Sequence, residues 1–139
     1  MRVYVTLFLI LFLSIFSLPL FGESTLHLSY GSKPGRLNPL LATDSASSEI
    51  SGWIFNGLLT YDKQGKLVPE LASSYRFLSP TRVKFVLKKG VTWSDGAPFT
   101  ARDVLATYQM AISPTLFSPA SESFRYVKEV KQTALYEVE

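Results

Sequence analysis

Cysteine is absent from this 139-residue chain and histidine occurs once, at His27. The first absence excludes disulfide scaffolds, thiolate metal centres and cysteine nucleophiles. The second excludes imidazole clusters of the kind that hold zinc. Charge is also scarce: 14 Lys+Arg stand against 11 Asp+Glu, a formal net charge of +3, with 18% charged residues in all. So small an excess makes no independent case for a nucleic-acid surface. The phosphate-binding glycine patterns and the Gly-x-Ser-x-Gly elbow are missing too. What is abundant is apolar surface, at 47% of the residues, enough to build a packed core.

Much of that surface lies at the start. Residues 1–22 carry one charge, Arg2, then an almost unbroken hydrocarbon run from Val3 to Leu13, then Pro19 and Gly22. This order reads as a secretory signal, with cleavage expected after Gly22 and next after Ser24. The alternative is an uncleaved membrane anchor, because Val3–Phe21 is nearly long enough to cross ~30 Å of hydrocarbon. Both readings export the remainder, to a periplasmic or extracellular location. No cysteine follows the run, so the protein is not expected to be a lipoprotein.

Residues 23–139 read as a series of short strands and helices, of a length that suits one domain or part of one. Thr25–Tyr30 alternates and is expected as a strand. A helix is predicted from a cap at Asp44 or Ser45, with Ile50, Trp53, Ile54, Gly57 and Leu58 as its buried stripe. Leu58–Tyr61, the turn 62–66 and Leu67-Val68 follow as short strands, and Pro69–Ala72 as one helical turn. A hairpin is expected from Ser74–Leu78 and Arg82–Leu87 around Ser79-Pro80-Thr81. Gly96 supplies a positive φ in the turn after Trp93. Thr100 and Asp103 form a capping box for a helix whose apolar stripe is Ala101, Val104, Leu105, Tyr108, Ala111 and Ile112. Residues 115–123 read as a loop, Phe124–Val130 as a strand, and Ala134–Val138 as the opening of its antiparallel partner. The sequence stops at Glu139 within that alternating run, and a fragment is expected.

Few residues in this pattern suggest chemistry. His27 lies on an alternating segment without a serine elbow, and a solvent-facing role explains it. Asp62 and Asp95 sit in turns, where Asp serves local hydrogen bonds. Arg82, Lys84, Lys88 and Lys89 lie beside Phe85 and Trp93, but a solvated strand face explains them without nucleic acid. Trp53 belongs to the helix stripe and is expected in the core. Trp93 has two readings, core packing or a flat wall for a cleft. Ser45, Ser47 and Ser48 at a helix start could offer hydroxyl and N–H groups to a ligand.

Two ordered stretches carry a resemblance. The first runs Leu37-Asn38-Pro39-Leu40, then Ile54-Phe55-Asn56-Gly57-Leu58-Leu59-Thr60-Tyr61-Asp62, then Leu67-Val68-Pro69-Glu70-Leu71-Ala72. The second runs Val83 to Gly96 (VKFVLKKGVTWSDG), then Phe99-Thr100-Ala101-Arg102-Asp103-Val104. Together they resemble the extracellular solute-binding proteins of family 5, the oligopeptide-, dipeptide- and nickel-binding group of ABC importers. The resemblance implies an α/β fold of the type II periplasmic-binding-protein kind, with only part of the N-terminal lobe in residues 23–139. It implies a receptor and not an enzyme, with two lobes that close on a ligand through a hinge and dock on a membrane permease. Peptide or another small solute is the implied ligand, with no cofactor, no metal, no nucleic acid and a monomeric whole protein. Ser45, Ala46, Ser47 and Trp93 are the ligand-binding candidates. The turn Leu78–Thr81 is shorter than the family's usual hairpin. Two rivals stand beside this reading: an exported hydrolase or carbohydrate-active enzyme with its catalytic part elsewhere, and a membrane-anchored interaction module.

Overall fold

A computed structural model describes residues 25–29 and 31–139. The expected signal or anchor at residues 1–22 lies outside them. Helix α1 spans Ser45–Ile54, and strands β1 (Leu59–Tyr61) and β2 (Leu67–Pro69) form a two-stranded sheet. Strands β3 (Ala72–Ser79), β4 (Arg82–Leu87), β5 (Gln132–Ala134) and β6 (Glu137–Val138) form a second, antiparallel sheet in the order β3-β4-β6-β5. Helix α2 covers Ala101–Ala111, and a 3-10 helix covers Pro119–Phe124.

Local sequence explains most of these elements. The Asp44 carboxylate accepts from the Ser47 amide and caps α1. In α2 the Thr100 side chain and the Asp103 carboxylate satisfy each other's backbone N–H groups, as the capping box requires. Gly96 takes φ +86 in the Trp93–Ala97 turn, a conformation that residues with a Cβ rarely adopt. The β3–β4 hairpin turns at Pro80-Thr81 and shifts register at Ala72/Ser74 and Phe77/Ser79. Leu87, Phe99, Ala101 and Val138 are buried together, with Leu58, Leu71, Phe85, Val91, Val104 and Tyr136 packed around them. Val138 reaches this cluster because β6 pairs with β4, placing it opposite Phe85.

The structure departs from the sequence expectations at five places. Residues 25–29 form no strand, and Leu26 is 81% exposed; an alternating face forms a strand only where a sheet edge accepts its N–H and C=O groups. In α1 the buried residues are Ala46, Ser47 and Ser51, whereas Trp53 and Ile54 are 56% and 54% exposed. The helix also ends at Ile54, before Gly57. Pro69–Ala72 is no helical turn: the Glu70 and Ala72 amides both donate to the Leu58 carbonyl at 3.0 Å, which draws the segment against β1 instead. Phe124–Val130 is not a strand. The Ser118 cap and Pro119 start the 3-10 helix through Phe124, and the place beside β4 goes to β6. The final strand is therefore split into β5 and β6 by a turn at Leu135-Tyr136.

Candidate functional site

The segment Gly35–Leu41 runs as a strap along α1, bonded to it at Ser47 and Ser51. Its backbone must find partners, because it is covered on one side. Serine hydroxyls supply them. The Gly35 and Arg36 amides donate to Ser47 Oγ at 2.9 and 3.1 Å. Ser47 Oγ donates in turn to Asp44 Oδ2 at 2.7 Å, and the Ser47 amide to Asp44 Oδ1 at 2.8 Å. Ser51 Oγ donates to the Leu37 carbonyl at 2.8 Å, and Ser118 Oγ to the Leu40 carbonyl at 2.5 Å. These three serines are the buried polar residues among those described. The Asp44 carboxyl is held below its ordinary pKa, first by the Ser47 hydroxyl and then by the Ser47 amide. Phe117, immediately before Ser118, takes a left-handed φ of +48.

Beside the strap is an open groove of about 210 Å³, lined by Pro39, Ala42, Ser48, Ser51, Gly52 and Phe55. Its walls are mostly apolar, with Ser48 as an exposed hydroxyl. A second exposed surface centres on Trp93, whose ring meets buried Phe99 edge-to-face at 5.8 Å and 74°. Phe99 anchors one edge in the core, and the indole stays 44% exposed. Trp93 therefore packs on the core through one edge and leaves the rest of its ring exposed.

The candidates are divided between these places. Ser45, Ala46 and Ser47 are consecutive at the start of α1, and Trp93 stands on the Phe99 cluster. Ser45 is exposed, whereas Ala46 and Ser47 are buried, Ser47 in hydrogen-bond contact with the strap. Ser47 Oγ already donates once and accepts twice, which uses the whole capacity of a hydroxyl. Ser47 holds the strap. Ser51 and Ser118 share that work and escaped the sequence reading. The available signal was small polar residues at i, i+4 (Ser47 and Ser51), which border the bulky stripe on one side of the helix. The basic residues of β4 are occupied as well: Arg82 pairs with Glu139, and Lys84 Nζ lies 2.6 Å from Glu137. Among the described residues no three His, Asp or Glu side chains come together to hold a metal.

Residues 66–139 match the model of the bacterial extracellular solute-binding proteins, family 5 Middle. The chain belongs to that family. The oligopeptide-binding protein AppA from Bacillus subtilis, solved in complex with a nonapeptide, superposes with a TM-score of 0.68 at 30% identity, over 73% of this chain and 20% of that one. The periplasmic oligopeptide-binding protein OppA of Escherichia coli (strain K12) is 33% identical over 104 residues, 75% of this chain and 19% of the relative. A probable deoxycholate-binding periplasmic protein, YgiS, of the same strain is 32% identical over 102 residues, 73% of this chain and 19% of the relative. This family 5 chain thus spans about a fifth of the length of these relatives. Its α/β fold is that of part of a periplasmic binding protein, and the family is one of binding proteins.

Proposed function

We propose that this chain is part of the substrate-binding component of an ABC importer, capturing peptides outside the cytoplasm and delivering them unaltered to a membrane permease. The observation that carries this reading is the superposition on AppA with its nonapeptide. The oligopeptide-binding relative supports it in sequence. Residues 1–22 serve as the export signal, no lipid anchor is attached, and the whole protein acts as a monomer. Binding is non-covalent and not enzymatic: ligand contacts bias a hinge toward its closed state. In this reading Trp93 and Ser45 offer exposed groups to the ligand, while buried Ala46 and Ser47 fix the start of α1 next to Ser45.

The test is titration of the protein that carries this chain, followed by intrinsic tryptophan fluorescence. Di- to nonapeptides, sugars, nickel with histidine, and deoxycholate are the probes. A saturable response to peptides, with the peptide recovered intact by mass spectrometry, is the expected result. No response to peptides, a response to another probe alone, or a cleaved peptide overturns the reading. Trp93→Ala is expected to weaken peptide binding; an unchanged Kd in a folded variant removes Trp93 from the site.

A further inference from the structure

The linker between α1 and β1 holds the dipeptide Asn56-Gly57, and Asn56 is exposed. Asparagine followed by glycine is chemically unstable because the glycine nitrogen is unshielded by a side chain. That nitrogen, deprotonated by solvent hydroxide, can attack Asn56 Cγ. The N–Cγ bond forms and the Cγ–Nδ2 bond breaks. The side-chain nitrogen leaves as ammonia, taking a proton from water, and the hydroxide balance is restored. Water then opens the cyclic imide to an aspartyl or isoaspartyl residue at position 56. No electrons are transferred, and water is the only co-reactant.

The fold both demands this hazard and confines it. A Cβ on Gly57 would lie 2.8 Å from the Leu59 carbonyl oxygen, so a residue larger than glycine is excluded here. The Gly57 N–H, however, donates to Glu70 Oε2 at 2.7 Å. The Gly57 carbonyl accepts from the Leu71 amide at 3.0 Å, and the Leu58 carbonyl accepts from Glu70 and Ala72. Attack on Cγ requires the Gly57 nitrogen to give up its proton and swing toward the Asn56 side chain. The Glu70 carboxylate opposes both: it holds the proton, and its negative charge disfavours an amide anion beside it.

We propose that Asn56-Gly57 is a latent deamidation site that the Glu70 carboxylate keeps closed in the folded protein. Conversion would place a new carboxylate near Glu70. In the isoaspartyl form it would also lengthen the linker's main chain by one atom, displacing β1 from the Glu70–Ala72 segment.

The test incubates the full chain at mildly alkaline pH, in native buffer and in urea. Conversion at residue 56 is read by peptide mapping with mass spectrometry and by enzymatic isoaspartate methylation. Loss of a charge-assisted hydrogen bond corresponds to roughly a tenfold change or more, so native conversion is expected at least ~10-fold slower than in urea. Glu70→Ala is expected to raise the native rate toward the urea rate, and Glu70→Gln, which keeps an acceptor without the charge, to fall between. Slow exchange of the Leu71 and Ala72 amides identifies a folded variant. Equal rates in native buffer and urea overturn the proposal. So does a folded Glu70→Ala chain no faster than the parent. If that variant unfolds, a Glu70→Gln chain no faster than the parent overturns it instead.

Discussion

Two halves of this structure are held by different means. Around α2 and the four-stranded sheet, Leu87, Phe99 and Val138 exclude water from a common cluster, and burial of hydrocarbon supplies the stabilisation. Around α1 the buried set is Ala46, Ser47 and Ser51, and the strap is fixed by serine hydroxyls, Ser47 accepting from two of its amides and Ser51 donating to one of its carbonyls. An apolar cluster tolerates small shifts because the hydrophobic effect has no direction. A hydroxyl clamp depends on distance and angle, and a lost partner leaves a buried polar group without a bond. The sheet half should therefore respond to lost volume, and the α1 half to single lost atoms.

Removing volume is the largest test. Leu87→Ala, at a side chain 1% exposed, is expected to destabilise by about 2–5 kcal/mol in urea unfolding. A loss well below that range would show that the cluster collapses around the gap. Ser47→Ala comes next. It strips the acceptor from the Gly35 and Arg36 amides and the donor from Asp44, for about 1–3 kcal/mol. Exchange should quicken at Gly35 and Arg36 while the β4 amides stay protected; uniform loss of protection would make the two halves one cooperative unit.

Thr100→Ala takes one arm from the α2 capping box and is expected to cost about 1 kcal/mol, with a lower thermal midpoint as the readout. The gentlest probe is acid. The Asp44 pKa is lowered in the fold, so its contribution is fully present above the ordinary value of 3.8 and is lost as pH falls through the depressed folded value. Glu137, held down chiefly by its hydrogen bond to Lys84, follows the same sign below its ordinary 4.5. Protection of the Gly35 and Arg36 amides, relative to their intrinsic exchange rates, should therefore fall only below about pH 4. In Ser47→Ala this fall should shrink, because the main cause of the Asp44 shift is gone.

Legibility in the sequence followed the kind of signal each element carries. Thr100 and Asp103, Gly96, and the β3–β4 hairpin are local: cap, turn and alternation lie within a few residues, and the structure reproduces them. The α1 stripe misled because periodicity counts bulky apolar side chains, whereas a main-chain strap crossing close to a helix needs small ones. Trp53 and Ile54 are consequently exposed, and Ser47 and Ser51 covered. Phe124–Val130 misled because alternation shows that a strand is possible without showing which segment takes the edge of β4.

The amino-acid order alone determined where α1 and α2 start, the turns at Pro80-Thr81 and Gly96, and the two ordered stretches that mark family 5. These depend on neighbours in sequence, whose separation is set by covalent geometry. Only the tertiary structure decided that Ser118 reaches Leu40, that Val138 lies opposite Phe85, and that Glu70 holds the Gly57 amide. Those pairs are distant along the chain. Each forms where chain closure places a donor against an acceptor, or one apolar side chain against another, and no short pattern of residues encodes that placement.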